Sequence, residues 1–321
     1  MKTGIGKVTK EKDGFRVVFE RLYEHDIELV WDAITNPRKL ALWFTDMEFE
    51  LIPRSKMKFF FRDAARTESY GEILRVEPPY FFSFTWETEL AEWVLDRIGN
   101  DRCKVTLTYS RLDEKFAVGA PAGFHVLLDR LEAMLNGYTG YYPFGTEEFD
   151  PVVLQIQDSY GDILFDKFPE LERYRPIIAE QTYNAPIDKV WKAITDSKQM
   201  KQWYFDIPGF KPEVGHEFQF TGEGHNGEKY VHVCKVMEVI PPRKLGYTWT
   251  YKGIPGSSYV TFELFVVDDK TRLKLTHRGV GSFGTDNPDF ARSSFNQGWA
   301  EIIGKLLKVF VETKAEAKAE A

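Results

Sequence analysis

Hydrophobic positions along the chain recur first with a period of two and then with a period near 3.6, and this order occurs twice. Residues 15–23 are rich in β-branched and aromatic side chains, which predicts a strand. Residues 27–35 carry apolar side chains spaced i, i+3, i+4 and i+7, namely Ile27, Val30, Trp31 and Ile34. This spacing predicts a helix with one apolar face. The Asn-Pro pair at 36–37 ends that helix, and a second short helix is predicted at 38–43.

Serial strand-like segments follow, separated by short turn segments, and they predict an antiparallel meander. In the first half these segments are 57–61, 69–77, 80–86, 92–98 and 103–110. An apolar stripe between residues 124 and 135 then predicts a long helix that closes the half, with Gly137 as its C-terminal cap.

The second half repeats this order of elements. Its predicted segments are a strand at 176–183, helices within 187–204, strands at 217–220, 229–240, 244–251, 258–267 and 272–280, and a long helix at 289–312. The predicted apolar face of that last helix comprises Phe295, Trp299, Ile302, Ile303, Leu306 and Phe310.

The two halves are also related residue by residue. Ten of the 30 positions from 17 to 46 are identical to the position 160 residues later, so the chain contains an internal repeat. A repeat of this length in a chain of 321 residues predicts two duplicated domains. We place them at 1–172 and 173–321. Residues 138–172 have no counterpart in the second half, and we expect them to pack on the first domain or to connect the two. The second domain ends in a charged tail.

Composition narrows the classes of function. The net charge of −7 argues against binding to nucleic acid, which needs a basic surface. Each half has a single cysteine, Cys103 or Cys234, so a disulfide framework is not expected. No apolar run reaches the about 20 residues needed to span a bilayer. We therefore expect a cytoplasmic protein with no membrane span.

Several short motifs recur in both halves at corresponding places. In the first half they are 30–35 (Val-Trp-Asp-Ala-Ile-Thr), Trp43-Phe44, Glu77-Pro78-Pro79, Phe84-Thr85-Trp86 and the segment from Gly123 to Leu135. In the second half they are 190–195, Trp203-Tyr204-Phe205, Ile240-Pro241-Pro242, Tyr247-Thr248-Trp249 and Gly298-Trp299. Together with the order of elements, these motifs resemble the START-like helix-grip superfamily, also called SRPBCC. The nearest branch resembles the domain named after the activator of heat shock protein 90 ATPase.

The resemblance implies an α+β fold with two tandem helix-grip domains, each a curved antiparallel sheet around a long C-terminal helix. It implies an apolar cavity between sheet and helix, and hence a non-catalytic protein that binds a small apolar ligand or modulates a partner. Two alternatives remain open. One is a chaperone ATPase co-regulator of the heat shock protein 90 activator type, although that family's Asn-Trp-His-Trp signature is absent. The other is an enzyme of the cyclase or dehydratase type acting in the cavity.

The sequence contains no clear signature of catalysis, of a metal site or of a cofactor. The segment 222–227 (GEGHNG) matches G-x-G-x-x-G, but strand-like segments lie on both sides, so we predict a hairpin whose glycines supply positive φ. His216, His225 and His232 lie close together along the chain with glutamates between them, but their spacing fits no standard metal site. We therefore assign no catalytic residue, no metal ligand and no cofactor.

Candidate cavity residues come from the predicted inward faces of the strands and long helices. His277 shares a strand face with Leu273 and Leu275, so it is either a buried histidine satisfied by a neighbour or a polar group lining the cavity. Tyr109 occupies the matching place in the first half, and His125 lies at the start of the first long helix. The full set of candidates is Phe59, Phe61, Phe84, Trp86, Tyr109, His125, Phe218, Phe220, Trp249, Phe262, His277 and Trp299.

Overall fold

A computed structural model of the chain describes residues 4–62, 66–138, 140, 151–284 and 287–313. The chain divides into two compact units, Met1–Leu171 and Glu172–Ala321. Each unit combines one antiparallel sheet with helices, which confirms the predicted α+β fold. The charged tail predicted at the end of the chain falls almost entirely outside the described residues.

The first unit is built on an eight-stranded sheet in the order β1-β2-β8-β7-β6-β5-β4-β3. Its strands are β1 (Lys7–Glu11), β2 (Gly14–Tyr23), β3 (Asp46–Glu48), β4 (Lys56–Phe60), β5 (Glu68–Glu77), β6 (Phe81–Trp86), β7 (Glu89–Ile98) and β8 (Arg102–Leu112). Its helices are α1 (Ile27–Thr35), α2 (Pro37–Trp43), α3 (Gly119–Leu135) and α4 (Pro151–Lys167). Strands β1 and β3 and helix α4 were not predicted from the sequence.

The second unit is built on a six-stranded sheet in the order β10-β11-β12-β13-β14-β9. Its strands are β9 (Ile177–Tyr183), β10 (Glu217–Glu223), β11 (Lys229–Ile240), β12 (Lys244–Tyr251), β13 (Ile254–Val267) and β14 (Lys270–Arg278). Its helices are α5 (Ile187–Thr195), α6 (Ser197–Met200), α7 (Arg292–Glu301) and α8 (Leu307–Glu312). No helix among the described residues is long and apolar enough to cross a membrane.

A tyrosine at the end of the first long strand attaches that strand to the long helix in each unit. Tyr23 donates a hydrogen bond to the carbonyl of Leu128 at 3.2 Å, and Tyr183 donates one to the carbonyl of Ile303 at 2.9 Å. Each tyrosine is fully buried, and a buried hydroxyl needs a hydrogen-bond partner. The repeated tyrosine therefore has the same structural role in both units.

The repeated tryptophan after the short helices also makes the same contact in both units. Trp43 Nε1 donates to the carbonyl of Ala33, and Trp203 Nε1 donates to the carbonyl of Ala193, each at 3.0 Å. Because the last carbonyls of a helix lack partners within the helix, such a bond stabilises the helix end. The residues that are identical in the two halves thus make the same packing contacts and hydrogen bonds in each unit.

Helix α4 packs within the first unit. Gly6 N–H donates to the hydroxyl of Tyr160 at 2.7 Å, and Lys167 Nζ donates to the carbonyl of Val8 at 2.8 Å. Helix α4 belongs to the segment that has no counterpart in the second half. It packs on the first domain, which is one of the two arrangements expected from the sequence. Residues 139 and 141–150 of that segment lie outside the described residues.

The long C-terminal helix of the second unit contains one π-helical segment, Ile302–Leu306, between α7 and α8. Its buried residues are Phe295, Trp299, Ile303, Leu307 and Val311. The predicted face was wrong at Leu306, which is exposed while Leu307 is buried instead, whereas the predicted Phe310 is partly buried against the core. A π-helical turn takes up an extra residue, so a regular 3.6-residue period cannot follow the buried face through it.

Candidate functional site

The second unit contains a cavity of about 360 Å³. Its lining comes from the β10–β11 hairpin, the end of β12, the short 3₁₀ helix Pro288–Phe290 and helix α7. The residues that line it are Phe205, Gly222, Glu223, Gly224, His225, Tyr230, His232, Trp249, Tyr251, Asp289, Phe290, Ser294, Phe295, Gln297, Gly298, Trp299 and Ile302. This size lies within the range of small-molecule sites, about 300–1,000 Å³.

Aromatic side chains form the deep wall of the cavity. Trp249 and Trp299 meet at a ring-centroid distance of 5.5 Å with their planes 66° apart, and both are buried. Tyr251 packs edge-on against Phe290 at 4.9 Å, which continues the aromatic surface towards the mouth. Such a wall binds apolar ligands by excluding water from them.

Two glycines of the β10–β11 hairpin allow other side chains to approach the cavity. A Cβ at Gly222 would lie 2.7 Å from His232 Cε1, and a Cβ at Gly224 would lie 2.1 Å from Asp289 Oδ2. Of the three glycines in GEGHNG, only Gly227 has a positive φ, at +88°. The hairpin prediction is confirmed, but positive φ explains only one of the three glycines, since the other two make room for neighbours.

A cluster of hydrogen bonds at the mouth of the cavity centres on Asp289. His225 donates to Asp289 Oδ1 from Nδ1 at 2.5 Å and from its backbone N–H at 3.0 Å. The Tyr230 hydroxyl donates to Asp289 Oδ2 at 2.9 Å and accepts from Asn287 Nδ2 at 2.9 Å. The bond from the His225 imidazole, followed by that from its backbone N–H, holds the pKa of Asp289 below its usual range. The carboxylate is therefore ionised and joins the hairpin to the 3₁₀ helix.

His232 lies inside the cavity wall. Its ring stacks on Phe220 at 4.3 Å with the planes 8° apart, and it meets the edge of Trp249 at 4.8 Å. Burial lowers the pKa of His232 to about 4, because low dielectric disfavours the imidazolium. Its Nδ1 is buried and has no hydrogen-bond partner among the described residues. At neutral pH this imidazole is uncharged.

His277 is fully buried on the inward strand face, where its alternation with Leu273 and Leu275 predicts it. It does not line the cavity. Its Nε2 bonds Ser258 Oγ at 2.8 Å, and its Nδ1 accepts from Trp299 Nε1 at 3.0 Å. Burial, and then the neighbouring His232, lower the pKa of His277 to about 3. Of the two interpretations of His277, the geometry matches the buried histidine satisfied by its neighbours, because both ring nitrogens bond protein groups.

The other second-half candidates separate into two groups. Trp249 and Trp299 line the cavity, whereas Phe218, Phe220 and Phe262 belong to the packed core and do not. Phe218 packs edge-on against Tyr247 at 5.3 Å, and Phe262 packs tilted against the same ring at 5.8 Å. Alternation along a strand places a residue on the inward face, but it does not say how far along that face the cavity extends.

The aromatic candidates of the first half pack mainly against one another. Trp86 stacks on Phe59 at 5.0 Å and on Phe61 at 5.9 Å, and Phe59 contacts Phe84 at 6.1 Å. Tyr109 and Trp86 meet at 6.3 Å, and the burial of Tyr109 raises the pKa of its hydroxyl. These residues form a contiguous aromatic cluster in the first unit, in which Phe59, Phe84 and Tyr109 are buried and Phe61 and Trp86 are partly buried.

The sequence suggested that His125 lies at the start of the first long helix, but the structure places it further along. Helix α3 begins at Gly119, so His125 is in its second turn. Its Nδ1 lies 3.4 Å from the Tyr160 hydroxyl on α4, and its Nε2 lies 3.6 Å from Asp129. Burial lowers the pKa of His125, while Asp129 opposes that shift. The side chain therefore serves the contact between α3 and α4.

Metal-binding and thiol chemistry receive no support from the described residues. Within the described ranges, no three His, Cys, Asp or Glu side chains come together in a way that could hold a metal ion. Cys103 and Cys234 are free and buried, and burial raises the pKa of the Cys103 thiol to about 11. Such thiols are poor nucleophiles at neutral pH.

Sequence reasoning missed the mouth cluster. It considered His225 only with its histidine and glutamate neighbours in sequence, whereas its partner Asp289 is 64 residues away. Tyr230 and Asn287 were not considered at all. One available signal was Gly222 in the strand β10, because glycine within a strand often marks close approach by another group.

Comparison with known proteins gives one family and several similar structures. A family model described as "Activator of Hsp90 ATPase homolog 1-like protein" matches residues 24–136 and 184–312. No curated protein shows significant similarity to the chain.

Three solved structures illustrate the similarity in structure. DynU16, a protein of the dynemicin biosynthetic locus, is 15% identical over 92% of this chain and 97% of its own, with a TM-score of 0.39. Protein MLL2253 from Mesorhizobium loti is 27% identical over 44% of this chain and 100% of its own, with a TM-score of 0.34. Protein EF2215 from Enterococcus faecalis is 20% identical over 52% of this chain and 92% of its own, with a TM-score of 0.42.

Proposed function

The chain belongs to the family of Activator of Hsp90 ATPase homolog 1-like proteins, and we propose that its second unit binds a small, largely apolar ligand. The observation that carries this proposal is the cavity of about 360 Å³, walled by Trp249, Phe295 and Trp299 and open at a polar mouth. Ligand sites combine apolar walls with a few placed polar groups, and this cavity has both.

Burial of an apolar ligand against these rings supplies the binding energy. Each apolar Å² removed from water contributes about 25 cal/mol before the cost of association is subtracted. The polar groups of the mouth cannot provide comparable energy, because most of them already bond one another. We therefore expect the walls to set affinity and the mouth to set orientation.

The two alternative functions suggested by the sequence, a chaperone co-regulator and a cyclase or dehydratase, stay predictions. The family is described by its likeness to an activator of the Hsp90 ATPase, and this activity belongs to the homologue that gave the family its name. The cavity supports a ligand-binding function in the second unit, because its wall is largely aromatic.

Gly298 offers a direct test of the proposal. It lines the cavity within helix α7, and a Cβ placed there would meet no atom within 4 Å. Gly298→Leu should therefore reduce the space in the cavity, since its Cβ meets no neighbour, while the loss of a helical glycine favours the fold. Gly304 is a matched control, since it lies in the same long helix with equally open space but outside the cavity lining.

The probe is 2-methoxynaphthalene, and its affinity is measured by equilibrium dialysis. We expect the wild-type protein and Gly304→Leu to bind it with equal affinity. Gly298→Leu should bind at least about tenfold more weakly, because the side chain occupies the space that the probe needs. Equal affinity in all three proteins would show that the probe binds elsewhere, and no binding by the wild type would reject the proposal for this class of ligand.

A further inference from the structure

The mouth of the cavity carries a histidine and an aspartate that the proposed function does not explain. The side chain of His225 is 60% exposed, whereas that of Asp289 is 9% exposed and lies behind it. The pair joins the turn of the hairpin to the 3₁₀ helix, and both residues line the cavity. Their arrangement determines which hydrogen bonds a ligand can make at the mouth.

The contact with Asp289 fixes the proton on His225. A carboxylate accepts hydrogen bonds only, so the 2.5 Å approach of Nδ1 to Oδ1 requires a hydrogen on Nδ1. In the neutral imidazole the other nitrogen, Nε2, then has a free lone pair and acts as an acceptor. Among the described residues, none forms a hydrogen bond with Nε2.

The other polar groups of the cluster are already occupied. Asp289 accepts from the imidazole, from the backbone N–H of His225 and from the hydroxyl of Tyr230. The single O–H of Tyr230 is used in that bond, so it has no hydrogen left to donate to a ligand. Within this cluster, His225 Nε2 is the acceptor that has no hydrogen-bond partner at all among the described residues.

The charged residues that line the cavity also restrict the class of ligand. Asp289 and Glu223 both line it, and none of the described lining residues is a lysine or an arginine. A ligand carboxylate or phosphate would face like charge with no cation to balance it, which costs binding energy. The lining charge therefore disfavours an anionic ligand, and the aromatic wall favours a neutral one because a charge buried there would lose its hydration.

We propose that the cavity selects a neutral apolar ligand carrying a hydroxyl group, as in a phenol, whose O–H donates to His225 Nε2. Asp289 is the positioning residue in this scheme, since it holds the imidazole in the tautomer that accepts. This inference rests on the proposed binding function and adds the chemical class of the ligand. It assigns His225 as the residue that determines specificity.

The test compares 2-naphthol with its methyl ether, 2-methoxynaphthalene, which has the same rings but no donor. The quantity measured is the ratio of the two Kd values in each protein. His225→Phe keeps a ring of similar size but removes the acceptor. His216→Phe is the matched control, because His216 lies outside the cavity and packs beside Phe210 and Phe218.

We expect the ratio of the Kd of the methyl ether to the Kd of the naphthol to be about tenfold higher in the wild type and in His216→Phe than in His225→Phe. A change of about tenfold corresponds to the loss of one hydrogen bond. A ratio that is the same in wild type and His225→Phe would overturn the inference while leaving the proposed function intact. If neither compound binds the wild type, both are overturned. The wild-type ratio is informative even if a variant fails to fold, since absence of any preference for the naphthol also overturns the inference.

Discussion

Trp299 Nε1 donates a hydrogen bond to His277 Nδ1 at 3.0 Å, and this contact joins the long helix to strand β14 of the second sheet. His277 Nε2–H in turn donates to Ser258 Oγ at 2.8 Å, and Ser258 Oγ–H donates to the carbonyl of Trp249 at 2.8 Å. The chain of bonds links the two tryptophans of the cavity wall. His277 therefore supports the wall from behind instead of contacting a ligand.

Replacement of His277 by leucine should destabilise the second unit. The substitution leaves Trp299 Nε1 buried without an acceptor, and an unsatisfied buried donor costs about 1–3 kcal/mol. The free energy of unfolding, measured in urea, should fall by that amount for the transition of the second unit. His216→Leu, which breaks no hydrogen bond described in the structure, is the control. An unchanged free energy of unfolding in His277→Leu would contradict the role of the Trp299 contact.

Acid should weaken the second unit through its two buried histidines. Burial lowers the pKa of His232 to about 4 and that of His277 to about 3, whereas an unfolded histidine has a pKa of about 6.5. Below pH ~6.5 the unfolded state therefore binds more protons than the folded state. Stability is full above this pH and falls towards the folded pKa values, by up to about 1.4 kcal/mol per pH unit for each histidine.

His232→Phe isolates one of these two contributions. Phenylalanine can keep the stacking on Phe220 but cannot take up a proton. The pH range from about 6 to 4.5 lies between the unfolded and folded pKa values of His232. Over this range the free energy of unfolding of His232→Phe should fall less steeply than that of the wild type. The difference between the two slopes of unfolding free energy against pH should correspond to the uptake of about one proton. Parallel slopes for the two proteins would mean that His232 is not buried in its neutral form.

Each unit should fold on its own. The sequence placed the boundary after residue 172, whereas the structure groups Glu172 with the second unit, where its carboxylate accepts from Arg175 Nε at 2.8 Å. We expect fragments 1–171 and 172–321 each to unfold in a single cooperative transition in urea. A monomeric fragment that shows no cooperative transition by circular dichroism would indicate that the two halves need each other to fold.

Local patterns were sufficient to predict most of the fold. The apolar spacing in 27–35 and 187–195 predicted helices α1 and α5, because one face of each packs on its sheet. The pattern failed where the backbone departs from regular geometry, at the π-helical segment Ile302–Leu306. It also failed at β3, whose three residues are too few to show a period of two.

The candidate site was less predictable because its polar groups come from distant segments. His225 and Asp289 meet only when the hairpin and the 3₁₀ helix are both in place, and they are 64 residues apart in the sequence. Trp249 and Trp299, which periodicity placed on inward faces, both line the cavity. Periodicity also selected His277, since it cannot distinguish a group that faces a cavity from one that hydrogen-bonds within the core.

Indole N–H resonances report directly whether a ligand occupies the cavity of the second unit. The chain has eight tryptophans, each with one Nε1–H signal in a ¹H–¹⁵N spectrum, and Trp249 and Trp299 line the cavity. Titration with 2-methoxynaphthalene should shift these two signals most, and Gly298→Leu should abolish the shifts. Shifts confined to the other six tryptophans, or unaffected by Gly298→Leu, would contradict binding in this cavity.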